Sequence, residues 1–235
     1  MIKFFRKIRQ RLLSESKFSK YFIYAIGEIV LVVIGILIAL AINQKNTDKN
    51  NNELRDLYLI QLNEEIDHNQ KTLIERRDWA IKQLAEFDTL IKILVNKEYG
   101  SPKLLSLSRN LYLYQTFNPT MITYENLKFS GDLKLFNDLK LRNAISETYN
   151  TFNLIRESEE ITIKVAENYF QDYFMLNARV LNLNLSKDNF GKDIYFENAV
   201  LVRRQTVDDL INRYEDSIES LEELKTIFAD LQKSK

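Results

Sequence analysis

The residue types best suited to chemistry are few and widely spaced. Glu65 and His68 stand three apart with Glu64 and Asp67 beside them, and an E-x-x-H on a bundle helix is half of a di-iron carboxylate site. The other half needs a second histidine, and His68 is the only one. The cluster therefore reads as a solvated turn of a Glu-rich helix, and no metal or cofactor is expected. Glu159-Glu160 and the series Glu215, Glu219, Glu222 and Glu223 could pair carboxylates for acid/base work, but they lie beside apolar stripes, where helices place solvated faces. Arg203-Arg204 could grip an acidic partner, and the simpler expectation is an ordinary helix surface. Tyr112, Tyr114, Phe117, Tyr124 and Phe129 concentrate where short helices and breaks fall, a setting that either lines a ligand or partner site or closes a core.

Composition excludes more than it offers. With no cysteine there is no disulfide scaffold, thiolate metal site or cysteine nucleophile. Gly-rich phosphate loops and the G-x-S-x-G elbow are missing as well. The sequence holds 33 basic and 33 acidic residues, distributed unevenly. Residues 1–21 carry Lys3, Arg6, Lys7, Arg9, Arg11, Lys17 and Lys20 against Glu15 alone, whereas residues 43–235 are net acidic. An acidic domain without a basic stripe is not expected to bind nucleic acid.

Elements must position these residues, and the most legible one is apolar. Phe22 to Ile42 is a run of 21 residues interrupted by a single charge, Glu28. At about 1.5 Å per residue it matches a hydrocarbon core of about 30 Å. Ala39-Leu40-Ala41 imitates a signal-peptidase site, but the run is longer than a signal h-region of about 7–15 residues, so an uncleaved anchor is expected. The basic excess before it predicts an N-terminus in the cytoplasm and residues 43–235 across the membrane, the periplasm if this is a Gram-negative inner membrane. Phe4, Phe5, Ile8 and Leu12 share one side of a helix, which suits a short segment lying on anionic membrane lipids. Within the anchor, Glu28, Gly35 and Ala39 fall on one face, and Gly35-x-x-x-Ala39 is a small-residue pair that permits close helix approach. That face is expected to contact another membrane helix, from a second copy or a different protein.

The stretch from Phe4 to Asn43 (FRKIRQRLLSESKFSKYFIYAIGEIVLVVIGILIALAIN) resembles the opening of a family of single-pass Bacteroidota membrane proteins of unknown function. Thr123 to Phe136 (TYENLKFSGDLKLF) is similar to that family's midsection, while Ala41 to Asn46 departs from the Trp-containing exit of the family. The resemblance implies an envelope location and a helical domain, and no activity.

Beyond the anchor, residues 43–53 are polar and read as a juxtamembrane linker or a solvated helical turn. A long helix is predicted from Leu54 to about Asn96, on Leu62, Ile66, Leu73, Ala80, Leu84, Phe87, Ile91 and Leu94, with Gly100 as its stop and Pro102 as a restart. A short helix over 103–115, a break at Asn118-Pro119 and a second short helix over 120–129 follow. Asp138 is expected to cap a long helix to about Leu181. Residues 182–196 form the longest loop, and a last helix runs from about Glu197 to Gln232, with Val207, Leu210, Tyr214, Leu221, Leu224, Phe228 and Leu231 on a and d heptad positions. The fold class is thus all-α: one transmembrane helix followed by an extracytoplasmic antiparallel bundle over residues 54–235. The expected role is non-enzymatic, presenting that bundle for protein association. The alternative is a ligand-sensing bundle working through a separate output partner.

Overall fold

In a computed structural model, residues 18–179, 184–185 and 190–233 are described, and they are almost entirely helical. The basic segment over residues 1–17, with its apolar side of Phe4, Phe5, Ile8 and Leu12, lies outside them. The chain divides into two units, residues 1–56 and residues 57–235.

Helix α1 spans Phe18–Val95. Its apolar N-terminal stretch is long enough to cross a membrane, and none of it is packed against protein among the described residues. Such a surface is unstable in water and suits a bilayer, although a signal sequence has the same character. Glu28, Gly35 and Ala39 are all exposed on it. Of the two readings of residues 43–53, the linker gives way to the helix. Gln44 donates to Asp48 at 2.8 Å, the Thr47 hydroxyl donates to the Asn43 carbonyl, and Lys49 pairs with Glu53 at 3.7 Å. These one-turn pairs satisfy polar side chains along the helix, so polarity alone does not break it here.

In the second unit the end of α1 corrects another expectation. Gly100 does not stop the helix; Lys97 does, with φ of 57°. The Glu98 N–H bonds the Ile93 carbonyl and the Lys97 N–H bonds the Leu94 carbonyl, a Schellman closure with lysine where glycine is usual. Helix α2 (Pro102–Arg109) then starts as anticipated, with Pro102 in its first turn and the Ser101 side chain accepting from the Lys103 N–H. It ends earlier than expected, in a 3-10 turn over Asn110–Tyr112. An extended stretch follows to Met121, then α3 (Ile122–Ser130), closed by Gly131 at φ 74°. A second 3-10 turn covers Asp132–Leu135.

Helix α4 (Leu139–Ala166) is capped by Asp138, whose side chain accepts from the Lys140 N–H. The single helix predicted to Leu181 is interrupted. A π turn at Glu167–Gln171 leads into α5 (Asp172–Asn177), and β1 (Ala178–Arg179) pairs antiparallel with β2 (Asn184–Leu185), a small ladder where no strand was expected. The rest of the loop expected at 182–196 lies partly outside the described residues. Helix α6 spans Ile194–Lys233 and starts earlier than expected because Asp193 caps it, accepting from the Phe196 N–H at 2.8 Å.

Directions follow from the cross-helix pairs. Asp67 and Gln70 meet Lys225, while Asp88 meets Arg204, so α1 and α6 run oppositely. Thr148 meets Ser220, Thr151 meets Ser217 and Thr162 meets Thr206, so α4 and α6 also run oppositely. The core between these helices includes Leu73, Phe87, Ile145, Phe152, Leu221 and Leu224. The heptad predicted for the last helix holds to Phe228: Val207, Leu210, Tyr214, Leu221, Leu224 and Phe228 are buried, and so is Ser217, while Leu231 is half-buried.

Candidate functional site

Residues 110–123 run back along α1 as a strap. An extended chain has no helical ladder, so its buried amides and carbonyls need partners from elsewhere. Side chains of the long helices supply them. On α1, Glu65 accepts from the Thr123 N–H at 2.8 Å, and Asn69 exchanges two bonds with Thr120. Arg76 donates to the Thr116 carbonyl, and Gln83 donates to the carbonyls of Asn110 and Leu113. From Glu65 to Gln83 the helix advances about 27 Å. The ten steps from Leu113 to Thr123 can reach about 33–36 Å, enough to cover that length.

Two carboxylates anchor this arrangement in parallel fashion. Glu65 is 5% exposed and accepts the Tyr149 hydroxyl from α4 as well as the Thr123 amide. Glu159 on α4 is 5% exposed and accepts the Phe117 amide at 2.7 Å and the Tyr214 hydroxyl from α6 at 2.6 Å. Burial pushes the Glu159 carboxyl above the usual carboxylate range, with the Tyr214 and Phe117 donors and nearby Arg76 pulling the other way. Burial together with the facing carboxylates raises both tyrosines well above their ordinary value.

Arg203 completes the cradle. It is 0% exposed, and its guanidinium donates to the carbonyls of Leu111, Leu113 and Thr162 while lying over the Phe87 ring. Burial lowers its pKa to about 10, so it stays cationic at neutral pH. Three sequence expectations are corrected here. Glu65 is not on a solvated turn, Glu159 is not on a solvated face, and Arg203 is not surface. Each is buried because the strap offers it backbone partners that water would otherwise provide. His68, by contrast, is exposed, and shares with Glu64, Glu65 and Thr123 a shallow surface depression. Among the described residues no group of His, Cys, Asp and Glu is arranged to hold a metal ion.

The aromatic set does not converge. Phe117 packs edge-on against Phe152 in the core, and Tyr124 stacks on Tyr149 with centroids 4.2 Å apart. The Tyr114 hydroxyl donates to Glu167 in the π turn, and Phe129 stands 84% exposed on α3. Tyr112 lines a cavity. That cavity is an apolar groove of about 350 Å³ beside the start of the strap. Leu105, Arg109, Tyr112 and Leu113 form one side of it. Gln171, Phe174, Met175 and Arg179, from the π turn through β1, form the other.

A signal for the cradle was present in the sequence, one step beyond the apolar stripes. On α1 the apolar column Ile66, Leu73, Ala80, Phe87 and Leu94 is an a position, and its d partners are Asn69, Arg76, Gln83 and Leu90. Extending the last helix's heptad one repeat back places Arg203 at d, and α4 carries Glu159 in the same seam column as Ile145, Phe152 and Ala166. Polar residues at seam positions mark where the neighbour is not another helix. Compared with protein-family models, curated proteins and solved structures, the chain matches none.

Proposed function

We propose that this chain is a non-enzymatic, single-pass envelope protein of the inner membrane, with its N-terminus in the cytoplasm and its helical domain in the periplasm. The domain acts as an antiparallel bundle presented for association with other proteins. One observation carries the reading: the buried charged and amide side chains of the cradle (Glu65, Asn69, Gln83, Glu159 and Arg203) make their hydrogen bonds to the chain's own backbone and to two tyrosines. Groups committed in this way build a rigid surface rather than a set of reactive ones. The exposed apolar stretch of α1 and the basic excess before it support the placement.

The anchor takes part in the association through Glu28, Gly35 and Ala39, meeting a second copy or another membrane protein. Crosslinking in native membranes tests this directly. Gly35→Leu and Glu28→Leu should reduce crosslinked species, with Glu28→Gln partly spared, because a hydrogen-bonding side chain and a small residue are what close helix contact requires. If all three variants crosslink like the parent and copurification recovers no protein reproducibly, the association reading is wrong. A periplasm-specific reporter should be active after Lys235 and silent after Lys17; the reverse would overturn the placement.

A further inference from the structure

The groove beside the strap is built for a ligand that the association reading does not use. We propose that it binds a free single-chain fatty carboxylate, with the carboxylate on Arg109 and Arg179 and the acyl chain along Leu105, Leu113, Phe174 and Met175. Four observations lead to this occupant.

The first is charge. Arg109 and Arg179 both line the groove, and no Asp or Glu does among its described lining residues. Neither arginine takes part in an ion pair among the described residues. Guanidinium groups prefer carboxylates, which they grip through two parallel hydrogen bonds.

The second is the shortage of other polar function. The carbonyls of Asn110 and Leu113 already accept from Gln83, Leu113 also accepts from Arg203, and the Asn110 amide donates to Glu86. A sugar or a nucleobase would find few partners left on this wall. With Tyr112 and Gln171 as the remaining polar lining residues beside the two arginines, a ligand with one anionic end and an otherwise apolar body matches the wall better than a polyhydroxyl or a base.

The third is preorganisation. Gln83 and Arg203, both buried, hold the 3-10 turn that forms one wall, so the cavity does not have to be created on binding. The opposite wall follows a π turn, a helical irregularity that recurs at functional sites, and it ends in Met175, whose flexible thioether adapts to a chain.

The fourth is size. At about 350 Å³ the groove sits at the small end of ligand cavities, about 300–1,000 Å³, which suits one acyl chain rather than the two of a bilayer phospholipid.

The test uses the full chain in nanodiscs of zwitterionic phospholipid, since detergents are themselves amphiphiles. A dansyl-labelled fatty acid is titrated, with protein-free nanodiscs as background. The expected result is protein-dependent fluorescence that dodecanoate displaces and that neither acetate nor dodecyltrimethylammonium displaces. The double variant Arg109→Ala/Arg179→Ala should bind at least about tenfold more weakly, and Met175→Trp, filling the groove from an exposed position, should abolish binding. The double variant Arg213→Ala/Lys233→Ala removes two positive charges elsewhere and should bind like the parent. Circular dichroism reports that each variant keeps its helicity. The proposal is overturned by no signal above protein-free nanodiscs, by equal displacement with the cationic amphiphile, by binding that survives either groove variant, or by equal weakening in the control pair. None of these outcomes depends on whether the anchor associates.

Discussion

Glu65 and Glu159 sit on different helices and do the same thing: each takes one strap amide and one tyrosine hydroxyl from the next long helix. Glu65 links α1 to α4 through Tyr149, and Glu159 links α4 to α6 through Tyr214. The strap thereby ties together the three long helices, and its removal would leave two buried carboxylates short of donors.

For Glu159 this has a pH signature. Its carboxyl pKa in the folded state is raised above the ordinary value of 4.5, chiefly by burial. The folded protein therefore takes up this proton before the unfolded chain does. Its contribution to stability grows as pH falls through the raised value, and levels off below 4.5. Glu159→Gln keeps a carbonyl to accept both bonds and never ionises. Its stability relative to the parent should be higher at about pH 7 than at about pH 4.5, as measured by urea unfolding. A difference that does not move with pH would contradict the burial argument.

Adjacent arginines should behave oppositely. Arg203→Met removes the guanidinium from the buried carbonyls of Leu111 and Thr162, with Leu113 keeping Gln83 as a donor, and should cost about 3–5 kcal/mol. Arg204 holds Asp88 at 2.9 Å and Asp208 at 3.2 Å near the surface, so Arg204→Ala should cost about 1 kcal/mol or less. Thermal melts of the two variants side by side decide the matter; similar losses would mean that the cradle is not what Arg203 supports.

Lys97 and Gly131 both sit in the left-handed region, at φ 57° and 74°. Lys97→Gly should stabilise by about 0.5–1 kcal/mol, because a Cβ is unfavourable there and the Schellman bonds are backbone only. Gly131→Ala should destabilise by about 1 kcal/mol although no atom lies within 4 Å of the added Cβ, since the cost is conformational rather than steric. Denaturant midpoints with unchanged slopes would report both effects.

Residues 57–235 should fold without the anchor, because their core lies wholly inside that unit. Leu221→Asp or Leu224→Asp should abolish the cooperative melt of this fragment, as both side chains are 0% exposed and a buried unpaired charge costs several kcal/mol, on the order of the total stability. A preserved melt would mean that α6 does not pack on this face.

Local and periodic features were legible without a structure. The apolar run from Phe22 to Ile42, the cap at Asp138, the restart at Pro102 and the α6 seam each depend on residues within a turn or two of one another, so their physics is contained in short stretches of chain. The helical course of residues 43–53 was left open because polar composition suits a linker and a solvated helix equally, and i,i+4 pairing decides between them. The Lys97 closure was hidden because nothing in the side chain of lysine advertises a left-handed backbone. The seam columns of Glu159 and Arg203 carried a hint, but what buries Glu65, Glu159 and Arg203 was decided in three dimensions. Read along the chain, a charged residue on a helix faces water at no cost. It becomes an interior group when a segment 42 to 92 residues away lays unpaired amides and carbonyls against it, as Phe117 does for Glu159 and Leu111 for Arg203. Hydrogen-bond demand in that strap, rather than hydrophobicity, set which polar side chains went inside.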